Sequence, residues 1–202
     1  AYNDLLDKGM QMLCGTVTSG ACIAVGAEAA ESTFLFTPSA TAVDSIQYDN
    51  AFRMCFSDPN QGSASADYIA ENKLATKVAI IYNSSDTYSS GIYQTFATEA
   101  KAKGLDVVAA EAFTADNKTD FSVQIQKAKD AGAELVFLPI YYQEASLILA
   151  QANKVGFTPK WFGCDGMDGI LDLDGFDANL AEDLMFLTPF TANATDEATQ
   201  KF

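Results

Sequence analysis

From Lys77 onward the chain alternates short apolar runs with longer amphipathic ones. "KVAIIY", "LDVVAAEAF", "AELVFLP" and "KWFGC" are separated by "SSGIYQTFATEAKAKG", "DFSVQIQKAKDAG" and "QEASLILAQANKVG". Apolar runs of roughly four to eight residues without polar alternation suit strands buried on both faces. The intervening segments carry a helical period and stop at glycine, as at Gly104. Antiparallel neighbours can be joined by a tight turn, whereas a helix between successive strands implies crossovers and a parallel sheet. The expected class is therefore α/β, with helices on both faces of parallel, Rossmann-like sheets. "EDLMFLTPF" reads as one further strand.

The same rhythm is weaker upstream. "YNDLLDKG" reads as a helix stopped by Gly9, "MQML" and "TFLF" as buried strands, and "ACIAVGAEAAES" as the helix between them. In "AFRMCF" the alternation predicts a strand with Phe52, Met54 and Phe56 on one side and Arg53 and Cys55 on the other, followed by the helix "QGSASADYIAENKLA". The chain thus divides into a partial α/β unit over 1–74, a nearly complete one over 75–189, and a following segment, 190–202.

Charge and missing residue types narrow the chemistry. The 202 residues include 27 acidic and 12 basic side chains, a formal charge of -15, and no stretch concentrates the bases, so a nucleic-acid partner is not expected. There is no histidine, which removes the usual general base, a common zinc ligand and the middle member of most hydrolytic triads. Cys14, Cys22, Cys55 and Cys164 form no C-x-x-C pair, so disulfides and free thiols both fit.

In open parallel sheets ligands gather beyond the carboxyl ends of the strands. The loops expected there are "GTVTSG", "TPSAT", "NSSDTYSSG", "PIYYQEA" and "GCDGMDG", rich in hydroxyls, with some acids and without Lys or Arg. They suit a small anionic group held by hydroxyls and helix-start N–H groups, or an ammonium held by a carboxylate. "GTVTSGACIAVG" is not G-x-G-x-x-G, "SSG" at 89–91 lacks the lysine of a Walker loop, and "DGMDGILDLDG" fails the calcium-loop spacing in every register. Neither a cofactor nor a metal site is expected.

The ordered set "DTYSSG" at 86–91, "TDFS" at 119–122 and "YYQEA" at 141–145 resembles the second lobe of the solute-binding proteins of branched-chain amino acid ABC transporters, and "GTVTS" and "TPSAT" resemble the ligand loops of their first lobe. The resemblance implies a two-lobe clamshell, here as in an internal fragment, with an incomplete first ligand-binding lobe over 1–74, the second over 75–189 and the start of a return into the first lobe over 190–202. It further implies an extracytoplasmic location, periplasmic or lipid-anchored, a small zwitterionic ligand such as an amino acid, delivery to a membrane permease, and no catalysis. A sensor ectodomain with the same clamshell, or a histidine-independent α/β enzyme, are the competing readings.

By position, the resemblance puts Thr18 and Ser19 at the ligand carboxylate, Ser39, Ala40 and Thr41 at the head group, Tyr88 and Tyr141 over the ligand, and Asp165 at the ammonium. Each has a plainer alternative. Thr18 and Ser19 suit a helix cap, Ser39 and Thr41 a turn after Pro38, and the two tyrosines ordinary amphipathic packing. Trp161 and Tyr142 read as packing or surface residues, and Glu144 as a first-turn acid facing the helix dipole.

Overall fold

In the computed structural model, residues 1–191 and 193–201 are described, and two parallel sheets lie in succession along the chain. The first runs β1 (Met12–Cys14), β2 (Phe34–Thr37), β3 (Ala51–Arg53) in that spatial order. The second comprises β4 (Lys77–Asn83), β5 (Asp106–Phe113), β6 (Leu135–Leu138), β7 (Lys160–Gly163) and β8 (Met185–Phe186), ordered β5-β4-β6-β7-β8. Every pairing is parallel.

The second sheet is covered on both faces, which is why its strands read as unbroken apolar runs. Val78 and Ile80 of β4, with Leu135 and Phe137 of β6, pack beneath α3 (Asp58–Glu71) and α4 (Thr87–Ala102). Ala79 and Ile81, with Val136 and Leu138, pack beneath α5 (Ser122–Asp130) and α6 (Tyr142–Lys154). Successive residues thus feed opposite cores, as the two-residue period of a strand requires. Trp161 belongs to the second of these cores, edge-on to Phe157 at 6.3 Å. By packing, α3 joins the second sheet although it precedes residue 75.

The first sheet is covered on one face. There α2 (Ser19–Ala29) and the 3-10 turn Val43–Ile46 enclose Cys22, Leu35, Ala40 and Ala51. The opposite face leaves Met12 61%, Phe34 43% and Phe52 48% exposed, with Phe34 stacked on Phe52 at 5.2 Å. The strand expected in "AFRMCF" is only Ala51–Arg53, and its larger apolar residue lies on the uncovered face. Ala51 enters the core while Phe52 and Met54 point outward, because apolar alternation marks two faces without saying which is covered. "MQML" is likewise shifted to Met12–Cys14 and is not buried as a whole. The strand expected in "EDLMFLTPF" is only Met185–Phe186 long. In the following segment α1 at the other terminus (Tyr2–Asp7) has a counterpart, α7 (Glu197–Lys201), while Ala192 and Phe202 lie outside the described residues.

The packing of α3 on α4 depends on one glycine. A Cβ on Gly62 would stand 2.7 Å from both the Ile92 carbonyl oxygen and the Phe96 nitrogen of α4, so only glycine lets α3 and α4 lie this near. Ser57 caps α3 by accepting from the Asn60 N–H, with Pro59 in the first turn. Gly62→Ala is expected to force the helices apart and destabilise the chain by roughly 1–3 kcal/mol, read from urea denaturation.

Candidate functional site

Because all strands of each sheet run the same way, the loops after β1, β2, β6 and β7 and the start of α4 meet at one cleft. The cavity there has a volume of about 690 Å³. Thr18, Ser19, Ser39, Thr41, Tyr88, Tyr141 and Asp165 all line it. Ala40 does not. It is fully buried behind the loop, with its N–H donated to Thr37 Oγ1 at 3.0 Å.

Thr37 organises the first-sheet side. Its hydroxyl donates to the Thr16 carbonyl at 2.9 Å and receives the Ser39 and Ala40 N–H groups, so one side chain sets both loops. Ser39 Oγ donates to the Val17 carbonyl at 2.9 Å, and Ser19 Oγ accepts from the Ala42 N–H at 3.1 Å. These hydroxyls therefore brace the loops against each other. Thr18 stands at the N-cap of α2 but makes no side-chain capping bond, and is exposed to the cleft. The N-terminus of α2 thus stands at the cavity, where the helix dipole favours an anion.

The second-sheet side is held by a buried knot. Tyr88, 1% exposed, donates its hydroxyl to Asp165 Oδ1 at 2.8 Å and accepts the Gly166 N–H at 2.9 Å. Its ring stacks on Tyr141 with centroids 4.8 Å apart. The Tyr141 hydroxyl faces the Ser19 N–H at the start of α2, which links the two sides of the cleft. Burial pushes the Asp165 carboxyl above the usual carboxylate range, and the Tyr88 and Gln61 side chains pull it part of the way back. Gln61 Oε1 also accepts the Asp165 N–H at 3.1 Å. The arrangement offers N–H groups on one side and a partly desolvated carboxylate on the other, so it can hold an anion and a cation of one small molecule at once.

Lys118, Thr188, Pro189 and Phe190 line the cavity from outside the loops singled out, and Tyr142 and Glu144, inside one of them, line it too. Lys118 enters from "ADNKTD" and pairs with Glu144 at 3.3 Å, so the cavity does hold a cationic side chain. Glu144 does sit in the first turn of α6, and its ion pair adds a second role. Tyr142 lines the cavity while packing on the core under α6. Among the described residues, no group of acids and cysteines is arranged to hold a metal ion. All four cysteines are free thiols.

The family model described as "Periplasmic binding protein" matches residues 1–202. The chain belongs to the periplasmic binding protein family. It is 31% identical over 170 residues to the Leu/Ile/Val-binding protein homolog 3 of Brucella melitensis, covering 83% of this chain and 46% of that one. To the leucine-, isoleucine-, valine-, threonine- and alanine-binding protein of Pseudomonas aeruginosa it is 29% identical, covering 82% and 44%. In structure it resembles the substrate-binding protein LivJ of Streptococcus pneumoniae in complex with isoleucine, with TM-score 0.88, 29% identity, and coverage of 99% of this chain and 57% of that one. The chain therefore spans about half the length of such relatives. Its two successive parallel sheets agree with the α/β architecture expected of the family.

Behind Thr41, at the start of α3, stands a further carboxyl. Asp58 is 2% exposed and its N–H donates to the Thr41 carbonyl at 2.9 Å. Burial pushes it up to about 7, against the opposing effects of the Thr41 hydroxyl and the Arg53 charge. Arg53 itself donates to the carbonyls of Thr41 and Ala42, each at 2.9 Å.

Two outcomes follow from this geometry. Tyr88→Phe strands Asp165 Oδ1 and the Gly166 N–H, and should cost about 1–3 kcal/mol in chemical denaturation at neutral pH. Asp58 binds its proton more tightly folded than unfolded, so its contribution to stability is present below about pH 4 and is lost as pH rises toward 7. Asp58→Asn should remove that slope. At pH 8 the variant is expected to exceed the parent by on the order of a few kcal/mol, with the gap closing toward pH 4.

Proposed function

We propose that the cleft binds a zwitterionic amino acid or close analogue without converting it, for delivery to the permease of an ABC transporter. The observation that carries this reading is the placement, in one cavity, of the Tyr88-held Asp165 carboxylate opposite the N-terminus of α2 and the Ser39–Thr41 loop. An amino-acid head group carries an ammonium and a carboxylate a few bonds apart, and needs complementary charge on two sides.

In this reading Thr18, Ser19 and Thr41 receive the carboxylate through N–H and hydroxyl groups, the Ser39 carbonyl and Asp165 receive the ammonium, and Tyr88 and Tyr141 close over the ligand. Closure of two lobes about a hinge expels water and strengthens each bond, converting occupancy into a shape that a membrane partner can read. The names of the relatives, which bind leucine, isoleucine and valine, support the amino-acid class, as does the isoleucine held by the LivJ neighbour. A periplasmic or lipid-anchored location fits the family, and among the described residues no helix is long and apolar enough to cross a membrane.

Calorimetric and thermal-shift screening of the complete protein against the proteinogenic amino acids tests this directly. At least one should bind, and Asp165→Ala should weaken it by tenfold or more, about 1.4 kcal/mol. Binding that survives Asp165→Ala unchanged defeats the head-group assignment, and the absence of any amino-acid binding defeats the ligand class.

A further inference from the structure

The wall of the cleft is charged unevenly. Among its described lining residues the acids are Glu144, Asp165 and Asp168, and the base is Lys118. Lys118 is also the most loosely held of the lysines that make contacts. Its Nζ stands 3.3 Å from Glu144 in an ion pair, whereas Lys103, Lys127, Lys129, Lys160 and Lys201 hold their acceptors at 2.6–2.7 Å. The Lys118 side chain is 44% exposed, so its three N–H groups can turn between the glutamate and the cavity.

Strand order places this base at one end of the cleft. The ends of β5, β4, β6 and β7 stand in that order, ~4.8 Å apart at each step. Lys118 lies on the connection after β5, Glu144 is in the first turn of α6 after β6, and Asp165 follows β7. The lysine therefore comes in from the side remote from Asp165. A smaller recess of about 230 Å³ lies on that side, lined by Asn83 and Asp86 after β4 and by Gly20 of α2. Thr18, Lys118 and Tyr141 line both spaces, so the lysine shares a wall with the start of α2. The end where the helix dipole favours an anion is thus the end where Lys118 stands.

Two acids work against an anion there. Glu144 is the lysine's partner, and Asp86 lines the recess. Burial raises the Asp86 carboxyl, and among the charges around it Lys118 lowers it while Glu144 raises it, so the three side chains lie within electrostatic reach of one another. With the lysine present, the charge of Glu144 is offset. Without it the cleft would carry acids at both ends and no base, a wall that suits a cation and repels a carboxylate.

We propose that Lys118 is a specificity-determining residue: by offsetting Glu144 at the α2 end, it makes the cleft select a zwitterion over an amine with the same side chain. The inference rests on the amino-acid reading of the cleft. Asp165 meets the ammonium of either molecule and cannot tell them apart. The carboxylate separates them, since it is stabilised by the start of α2 and by Lys118 only while the lysine offsets the two acids beside it. The loose pairing suits this task, because the ammonium turns toward a ligand without first breaking a short hydrogen bond.

Calorimetry on the complete protein at neutral pH decides the matter, with L-leucine, L-isoleucine and L-valine as probes beside 3-methylbutylamine, which is leucine without its carboxylate. Lys118→Met should weaken the amino acids about tenfold, and Glu144→Gln should strengthen them about threefold. The amine should shift the opposite way in Lys118→Met, and Lys118→Arg should recover most of the affinity for leucine that Lys118→Met loses. A pair that merely braces the loop against α6 would be broken by both substitutions alike. Shifts of leucine affinity in the same direction in Lys118→Met and Glu144→Gln, or no shift in either, therefore overturn the proposal, as does an equal loss of leucine and amine in Lys118→Met. If Lys118→Met does not fold, Glu144→Gln decides alone: tighter leucine binding supports the proposal, and unchanged or weaker binding overturns it. A parent that binds none of the three amino acids defeats the reading of the cleft for these ligands and the inference with it, whereas a parent that binds them while the variants behave alike defeats the inference only.

Discussion

Parallel pairing sends each strand of a sheet in the same direction, and the consequences reach every part of this chain. α-Helices follow β4, β5 and β6, and together with α3 they cover both faces of the second sheet, which makes β6 and the middle of β4 apolar. The strand ends must also emerge along one edge. Since both sheets obey the rule, the loops after β1 and β2 face those after β6 and β7, and residues more than a hundred positions apart line one cavity. The contact of α3 with α4 through Gly62 then fixes how closely the helical layer behind the cleft can pack.

Within that cleft the chemistry follows from what lacks hydration. Asp165 and Asp58 are acids removed from water, and burial raises both. One receives the Tyr88 hydroxyl, and the other lies near an arginine whose guanidinium is already engaged with carbonyls. Their difference is a difference of bonding, and it separates a carboxylate suited to meet a cation from one suited to hold a proton.

The alternation of apolar runs and helices made the second sheet legible in the sequence because burial on both faces leaves no ambiguity about which residues are inside. The first sheet was less legible for the opposite reason. "AFRMCF" alternates, yet its apolar row of Phe52 and Met54 faces out, and the small Ala51 faces the core. Local pattern reveals periodicity, while coverage is a property of what packs above. In the cleft, the hydroxyl-rich loops were readable as loops at strand ends, and seven of the eight expected residues do line the cavity. Ala40 does not, since Thr37 draws its N–H inward. Lys118 was hidden because it lies on the connection after β5, outside the loops singled out, and reaches the cavity through its pair with Glu144. The burial of Asp58 was unreadable from sequence, since enclosure is a property of the packed structure.

The burial of the Asp165 carboxyl gives the tyrosine pair its significance. Tyr88 fixes the carboxylate from beneath, and the same ring stacks on Tyr141, whose hydroxyl extends to the α2 terminus on the opposite side. Orientation of the acid and contact across the cleft are therefore carried by one aromatic stack. A side chain held this way loses little further freedom when a ligand arrives, so less of the binding free energy is spent on ordering it. The Asp165 carboxyl on one side and the Ser19 N–H on the other are thereby joined through two stacked rings, without any longer chain of residues between them.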